Sequence, residues 1–161
     1  MYNGLKMAKH TTIATMKEYV EIIKGLLSGH DFTYKGNFFD FHNFPKLVDK
    51  ELDIPILFGS SGDKMLKLAG EIADGVILNS IGTEVYFKHA ILVINDSIRE
   101  SNRDIRQDLE IGSSTTFSVA DKREDAINAA GHEFLFYILY LELDPVIEKT
   151  PYAQRVDTIR R

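Results

Sequence analysis

The stretch from Ile54 to Asn79, IPILFGSSGDKMLKLAGEIADGVILN, constrains the fold more than any other part of this chain. Ile54, Ile56, Leu57 and Phe58 form one short apolar run, and Val76, Ile77 and Leu78 form a second. Apolar residues on consecutive positions suit parallel strands covered on both faces. The segment between them reads as a short amphipathic helix, and Ala73, Asp74 and Gly75 as the tight turn back into the second strand. The whole is one βαβ unit. Gly59, Ser60, Ser61 and Gly62 fall where the first strand ends and the helix begins. There, backbone N–H groups and the positive end of the helix dipole can hold an anion, typically a phosphate. An ordinary βα turn with a serine cap is the alternative reading.

The flanking sequence extends the alternation. Thr12 to Ser28 has the spacing of an amphipathic helix, with Ile13, Met16, Val20, Ile23 and Leu27 on one stripe, and Gly29 supplies its stop. Phe32 to Phe41 alternates around Lys35-Gly36-Asn37, which predicts a small hairpin. After Asn79, Thr83 can cap a helix from Glu84 to about Asn102, with Phe87, Ala90, Ile91, Ile94 and Ile98 as its buried stripe. Leu109 to Val119 reads as a third strand, and Asp121-Lys-Arg-Glu124 as a capping box opening a helix that runs to about Leu143, before Pro145. The order is a helix, a hairpin, then strand and helix three times over. Parallel strands with right-handed crossovers follow, in an open doubly wound sheet or in part of a barrel.

With 161 residues and 44% hydrophobic content, the chain can build one domain, residues 1–161, with a substantial core. A net charge of −5 argues against a nucleic-acid binder. No cysteine is present, which excludes disulfides and thiolate metal sites. His10, His30, His42, His89 and His132 lack metal-ligand spacing, so no metal site is expected. No apolar run approaches the roughly 20 residues of a membrane span, and the N-terminus lacks the apolar stretch of a signal peptide. The expectation is a soluble cytoplasmic protein.

Two ordered stretches carry a family resemblance. PILFGSSGDKMLKLAGEIADGVILN, together with MKEYVEIIKGLLSG at Met16–Gly29 and FTYKGNFF at Phe32–Phe39, resembles the luciferase-like family of flavin- and deazaflavin-dependent oxidoreductases. Within that family the sequence is most similar to the coenzyme F420-dependent methylenetetrahydromethanopterin reductases. The resemblance implies a (β/α)8 TIM barrel, of which this chain would be the C-terminal half: about three consecutive βα units preceded by a helix and a small hairpin. A whole barrel takes about 250 residues. It also implies a phosphate-bearing cofactor, F420 or FMN, used for hydride transfer or oxygen activation beside a small-molecule substrate.

By the same resemblance, Gly59, Ser60, Ser61 and Gly62 would hold the cofactor phosphate through backbone amides. Lys64, in the first helical turn, could add charge, although an exposed lysine is the plainer reading. Asn79 and Ser80 end the second strand, where barrel enzymes place ligand contacts. Ser113, Ser114, Thr115 and Thr116 read as ordinary strand residues, and Glu71, Asp74 and Gly75 as structural. No catalytic residue can be assigned from spacing. Half a barrel would leave two open sheet edges, and Phe134 to Leu141 is apolar all round its helix. Both features favour a homo-oligomer. Two functions therefore stay open: a luciferase-like monooxygenase or F420-dependent reductase, or a non-catalytic remnant or assembly subunit of a split barrel.

Overall fold

A computed structural model describes residues 12–79, 82–103, 109–140, 144–148 and 153–160. The chain divides into two compact units, Met1–Ile56 and Leu57–Arg161, each described by itself.

The first unit holds helix α1 (Thr12–Leu26) and the antiparallel strands β1 (Phe32–Lys35) and β2 (Asp40–Phe44). α1 ends as its sequence predicts. Gly29 has φ +79°, and a Cβ there would lie 2.7 Å from the backbone of Lys50, so both conformation and space require glycine. The buried face of α1 is the expected one only in part, at Val20. Thr15, Glu18, Val20 and Ile22 are buried, whereas Ile23 is exposed. The cause is Glu18, only 6% exposed, whose carboxylate accepts hydrogen bonds from the backbone N–H groups of Asn37 (2.7 Å), Phe38 (3.1 Å) and Phe39 (3.2 Å). These amides belong to the turn that Gly36 N–H closes onto Phe39 O at 2.9 Å. Turning Glu18 inward to satisfy them turns the neighbouring positions with it. Tyr34 Oη donates to Glu21 Oε2 at 2.7 Å, adding a second link from α1 to the hairpin.

The second unit is built on a parallel sheet in the order β3 (Leu57–Gly59), β4 (Gly75–Leu78), β5 (Glu110–Ser113). Helix α2 (Asp63–Ile72) joins β3 to β4, and α3 (Glu84–Glu100) lies between β4 and β5. After β5 come α4 (Arg123–Tyr140), α5 (Asp144–Ile147) and α6 (Ala153–Arg160). The result is an α/β fold whose described strands do not close into a barrel.

β3 and β5 are shorter than the sequence predicts, while β4 covers the whole of its apolar run. β3 begins at Leu57 rather than Ile54, because Pro55 has no N–H to give to a ladder. β5 covers Glu110–Ser113 rather than Leu109–Val119, because its partner β4 offers only four residues and the register ends at Leu78 opposite Ser113. Beyond that point Phe117 is 85% exposed. The expectation that both sheet faces are covered also fails. Phe58, Val76 and Leu78 are buried, while Leu57 and Ile77, on the opposite side of the pleat, are exposed.

Helices α2 and α3 pack closely. A Cβ on Gly70 would lie 2.8 Å from Ser97 Cβ and 2.9 Å from Ile94 O, so only glycine fits the crossing. Ser97 Oγ donates to Lys67 O at 2.7 Å, and Lys67 Nζ reaches Glu100 Oε2 at 2.6 Å. The Glu100 carboxylate raises the Lys67 pKa. Thr83 caps α3 as its sequence predicts, accepting from Tyr86 N–H at 3.3 Å. The buried stripe of α3 is Tyr86, Ala90, Ile94, Ser97 and Ile98; Ala90, Ile94 and Ile98 are as expected, while Tyr86 and Ser97 are buried in place of Phe87 and Ile91.

The apolar segment from Phe134 is exposed in part: Phe134 is 48% and Phe136 53% exposed. Leu141, the last residue of that expected segment, lies outside the described residues. α4 starts at Arg123, one residue later than a box capped by Asp121 would place it. The polar C-terminal stretch forms α6, whose Val156 clusters with Ile147 of α5, and Tyr137 and Ala153 pack against that pair.

Candidate functional site

The C-terminal ends of β3, β4 and β5 face one cavity of about 260 Å³. Gly59, Ser60 and Ser61 line it from the β3–α2 loop, Ile77, Leu78 and Asn79 from the end of β4, and Ser114 from just beyond β5. Tyr137 reaches it from α4. The register accounts for this arrangement. Gly59 pairs with Ile77, and Ser60 N–H donates to Ile77 O at 3.2 Å, so the loop leaves the sheet beside β4. Ser114 N–H donates to Leu78 O at 3.1 Å, which brings the segment after β5 to the same end of the sheet.

Two details fit this cavity to an anionic ligand group. A Cβ built on Gly59 meets no heavy atom within 4 Å, so the strand end opens onto empty space. Ser60 is 5% exposed, and its Oγ is buried with no hydrogen-bond partner among the described residues. A buried hydroxyl left unpaired costs about 1–3 kcal/mol, which a ligand oxygen would relieve. The loop runs directly into α2, whose N-cap residue Gly62 makes no side-chain capping bond, so the positive end of the helix dipole lies at the site. The cavity is smaller than the roughly 300–1,000 Å³ that encloses a whole small ligand, and suits one end of a larger molecule.

α3 backs the loop. Tyr86, with its side chain fully buried, donates from Oη to Ser61 O at 3.1 Å, and burial raises its pKa. His89 Nε2 lies 2.9 Å from Asp63 Oδ1 in the first turn of α2.

The candidates from the sequence separate clearly. Gly59, Ser60, Ser61 and Asn79 meet at the cavity. Gly62 is the helix N-cap beside it, and Lys64 is exposed and is not among the lining residues. Ser80 lies outside the described residues. Sequence reasoning did not select Ile77, Leu78, Ser114 or Tyr137. Ser114 falls inside the expected strand Leu109–Val119, where the alternating hydroxyls of Ser113 to Thr116 were the available signal for a polar pocket. Tyr137 had none, because its place depends on packing against the α5–α6 cluster. Among the described residues no group of three or more His, Asp or Glu side chains could hold a metal ion, and no helix is long and apolar enough to cross a membrane.

Comparison with known proteins gives these features a context. The family model described as luciferase-like monooxygenase matches residues 2–159. The 5,10-methylenetetrahydromethanopterin reductase of Methanolobus tindarius is 28% identical over 148 residues, covering 92% of this chain and 44% of the relative. The solved coenzyme F420-dependent tetrahydromethanopterin reductase of Methanopyrus kandleri superimposes with a TM-score of 0.72 at 27% identity, over 85% of this chain and 39% of that one. An F420-dependent secondary alcohol dehydrogenase in complex with an F420-acetone adduct, at 19% identity, shares the fold with a TM-score of 0.73, over 99% of this chain and 47% of that one. The chain thus spans less than half the length of these relatives, and its α/β fold is similar to the luciferase-like TIM-barrel enzymes.

Proposed function

This chain belongs to the luciferase-like monooxygenase family, and we propose that its β3–α2 loop holds the phosphate of coenzyme F420 in an oxidoreductase of the reductase type. The single observation that carries this reading is Ser60, which lines the cavity where three parallel strands end and whose Oγ is buried with no partner among the described residues. F420 is preferred to FMN because a relative at 27% identity is named as F420-dependent. Bound there, F420 would supply two-electron hydride chemistry to a small-molecule substrate.

The residues of this chain bind and orient. Gly59 leaves room for a phosphate to approach the backbone, and the Ser60 hydroxyl donates to one of its oxygens. Asn79 and Ser114 offer further polar contacts from the neighbouring strand ends, and Tyr137 covers the cavity from α4. β3, β4 and β5 are proposed to be consecutive staves of a (β/α)8 barrel in its C-terminal half. Reduction of the substrate is a property proposed for the whole barrel, to which these residues contribute the phosphate end.

A second reading concerns assembly. Phe134, Leu135 and Phe136, consecutive on α4, are all exposed, and β3 and β5 are the outer strands of the described sheet. These features support a homo-oligomer, or a subunit that completes a split barrel.

The test is fluorescence titration of the purified chain with F420, repeated on Gly59→Val. A Cβ at position 59 meets no heavy atom of the described residues beyond its chain neighbours within 4 Å, so the variant should fold while its side chain extends into the ligand's space. Saturable F420 binding that falls at least tenfold in Gly59→Val, with an unchanged circular dichroism melt, supports the proposal. No saturable binding, or equal binding by the variant, refutes it.

A further inference from the structure

The loop that lines the cavity is fastened at three points, two of them on one face of α3. Ser60 N–H is bonded to Ile77 O (3.2 Å), Ser61 O accepts from Tyr86 Oη (3.1 Å), and Asp63 Oδ1 meets His89 Nε2 (2.9 Å). Tyr86 and His89 are three residues apart and so lie side by side on the helix. Tyr86 is itself held from below, since its own N–H bonds to the N-cap oxygen of Thr83 at 3.3 Å and its side chain is completely buried. A Tyr hydroxyl spent on a loop carbonyl has a directional consequence. The peptide unit is planar and trans, so fixing Ser61 C=O towards Tyr86 fixes the Gly62 N–H in the opposite direction.

Resting on the anion-site reading of this loop, we propose that Tyr86 is a positioning residue: by capturing Ser61 O it presents the Gly62 amide, alongside the Ser60 hydroxyl, to a phosphate. It touches no ligand itself. The arrangement supplies preorganisation, because the donors are in place before the anion arrives and no loop ordering is charged against binding. A phenylalanine at 86 would keep the ring and its packing yet leave the Ser61–Gly62 peptide free to rotate.

The experiment compares wild type with Tyr86→Phe using two ligands, F420 and the corresponding deazaflavin nucleoside lacking the phosphate-bearing tail. The proposal predicts that F420 affinity falls about two- to tenfold, the effect of losing one neutral hydrogen bond, while affinity for the phosphate-free ligand is unchanged. Equal losses for both ligands, or no loss for F420, would overturn it and leave Tyr86 a packing residue. A second arm uses inorganic phosphate and amide NMR, and stands whether or not F420 binds. The Gly62 amide resonance should move on phosphate addition in wild type, and by much less in Tyr86→Phe. A Gly62 amide indifferent to phosphate in the wild type would refute the proposal even if the variant failed to fold. Phosphate sensitivity without F420 binding would uphold it while removing the cofactor assignment.

Discussion

Ser60→Ala should move stability and binding in opposite directions. In the free protein Ser60 Oγ is buried without a partner among the described residues, a state that costs about 1–3 kcal/mol relative to a solvated or bonded hydroxyl. Alanine removes the orphaned group at little cost in packing, so the free variant should be more stable by ~1 kcal/mol. For a domain of this size that is a rise in Tm of about 2–4 °C. With ligand bound, the same hydroxyl would donate a charge-assisted hydrogen bond to a phosphate oxygen, worth about 1.5–3 kcal/mol. Losing it should weaken binding by about 10- to 100-fold, at roughly 1.4 kcal/mol per decade. Urea denaturation of the free protein and fluorescence titration with F420 read the two effects separately. A variant that is less stable than wild type, or that binds F420 as tightly, would show that the hydroxyl has another partner and that the cavity is not an anion site.

Other consequences follow from the packing. Gly70→Ala places a Cβ 2.9 Å from the Ile94 carbonyl and should destabilise the second unit by about 1–3 kcal/mol in denaturant titrations. Glu18→Gln turns an amide group towards the backbone donors of Asn37, Phe38 and Phe39, and should cost about 1–3 kcal/mol with faster hydrogen exchange at those amides. The hydrogen bond to Glu21, its largest cause, raises the Tyr34 pKa from 10.0 to about 12. A folded pKa above the unfolded one means that this contribution is complete below pH 10 and is lost as pH rises through about 12. Absorbance at 295 nm, compared with Tyr34→Phe, should therefore show this phenol titrating at about 12.

What could be read in the sequence was whatever short-range chemistry decides. Thr83 capping α3, Gly29 ending α1, the turn at Gly36 and the helix-to-strand turn at Asp74 each depend on a few neighbouring residues, and each is found where expected. Strand lengths were overread, because the length of a strand is set by its partner: Thr115 to Val119 have β-forming residues but no ladder beyond Leu78 to join. The buried faces of α1 and α3 were each legible in part, with Val20, Ala90, Ile94 and Ile98 buried as expected, and the remainder differs for a related reason. Glu18 and Tyr86 are polar or amphipathic side chains drawn inward by backbone groups distant in sequence, and hydrophobic periodicity carries no record of them. The cavity divides in the same way. Gly59, Ser60, Ser61 and Asn79 follow from position at strand ends, whereas Tyr137 is placed by the cluster of Ile147 and Val156.

The most direct test of the central claim is a crystal structure of this chain with F420. The account predicts the phosphate at the ends of β3 and β4, with an oxygen within hydrogen-bond distance of Ser60 Oγ and the Gly59 backbone against it. A phosphate bound elsewhere on the chain, with the Ser60 hydroxyl still unpaired, would contradict it.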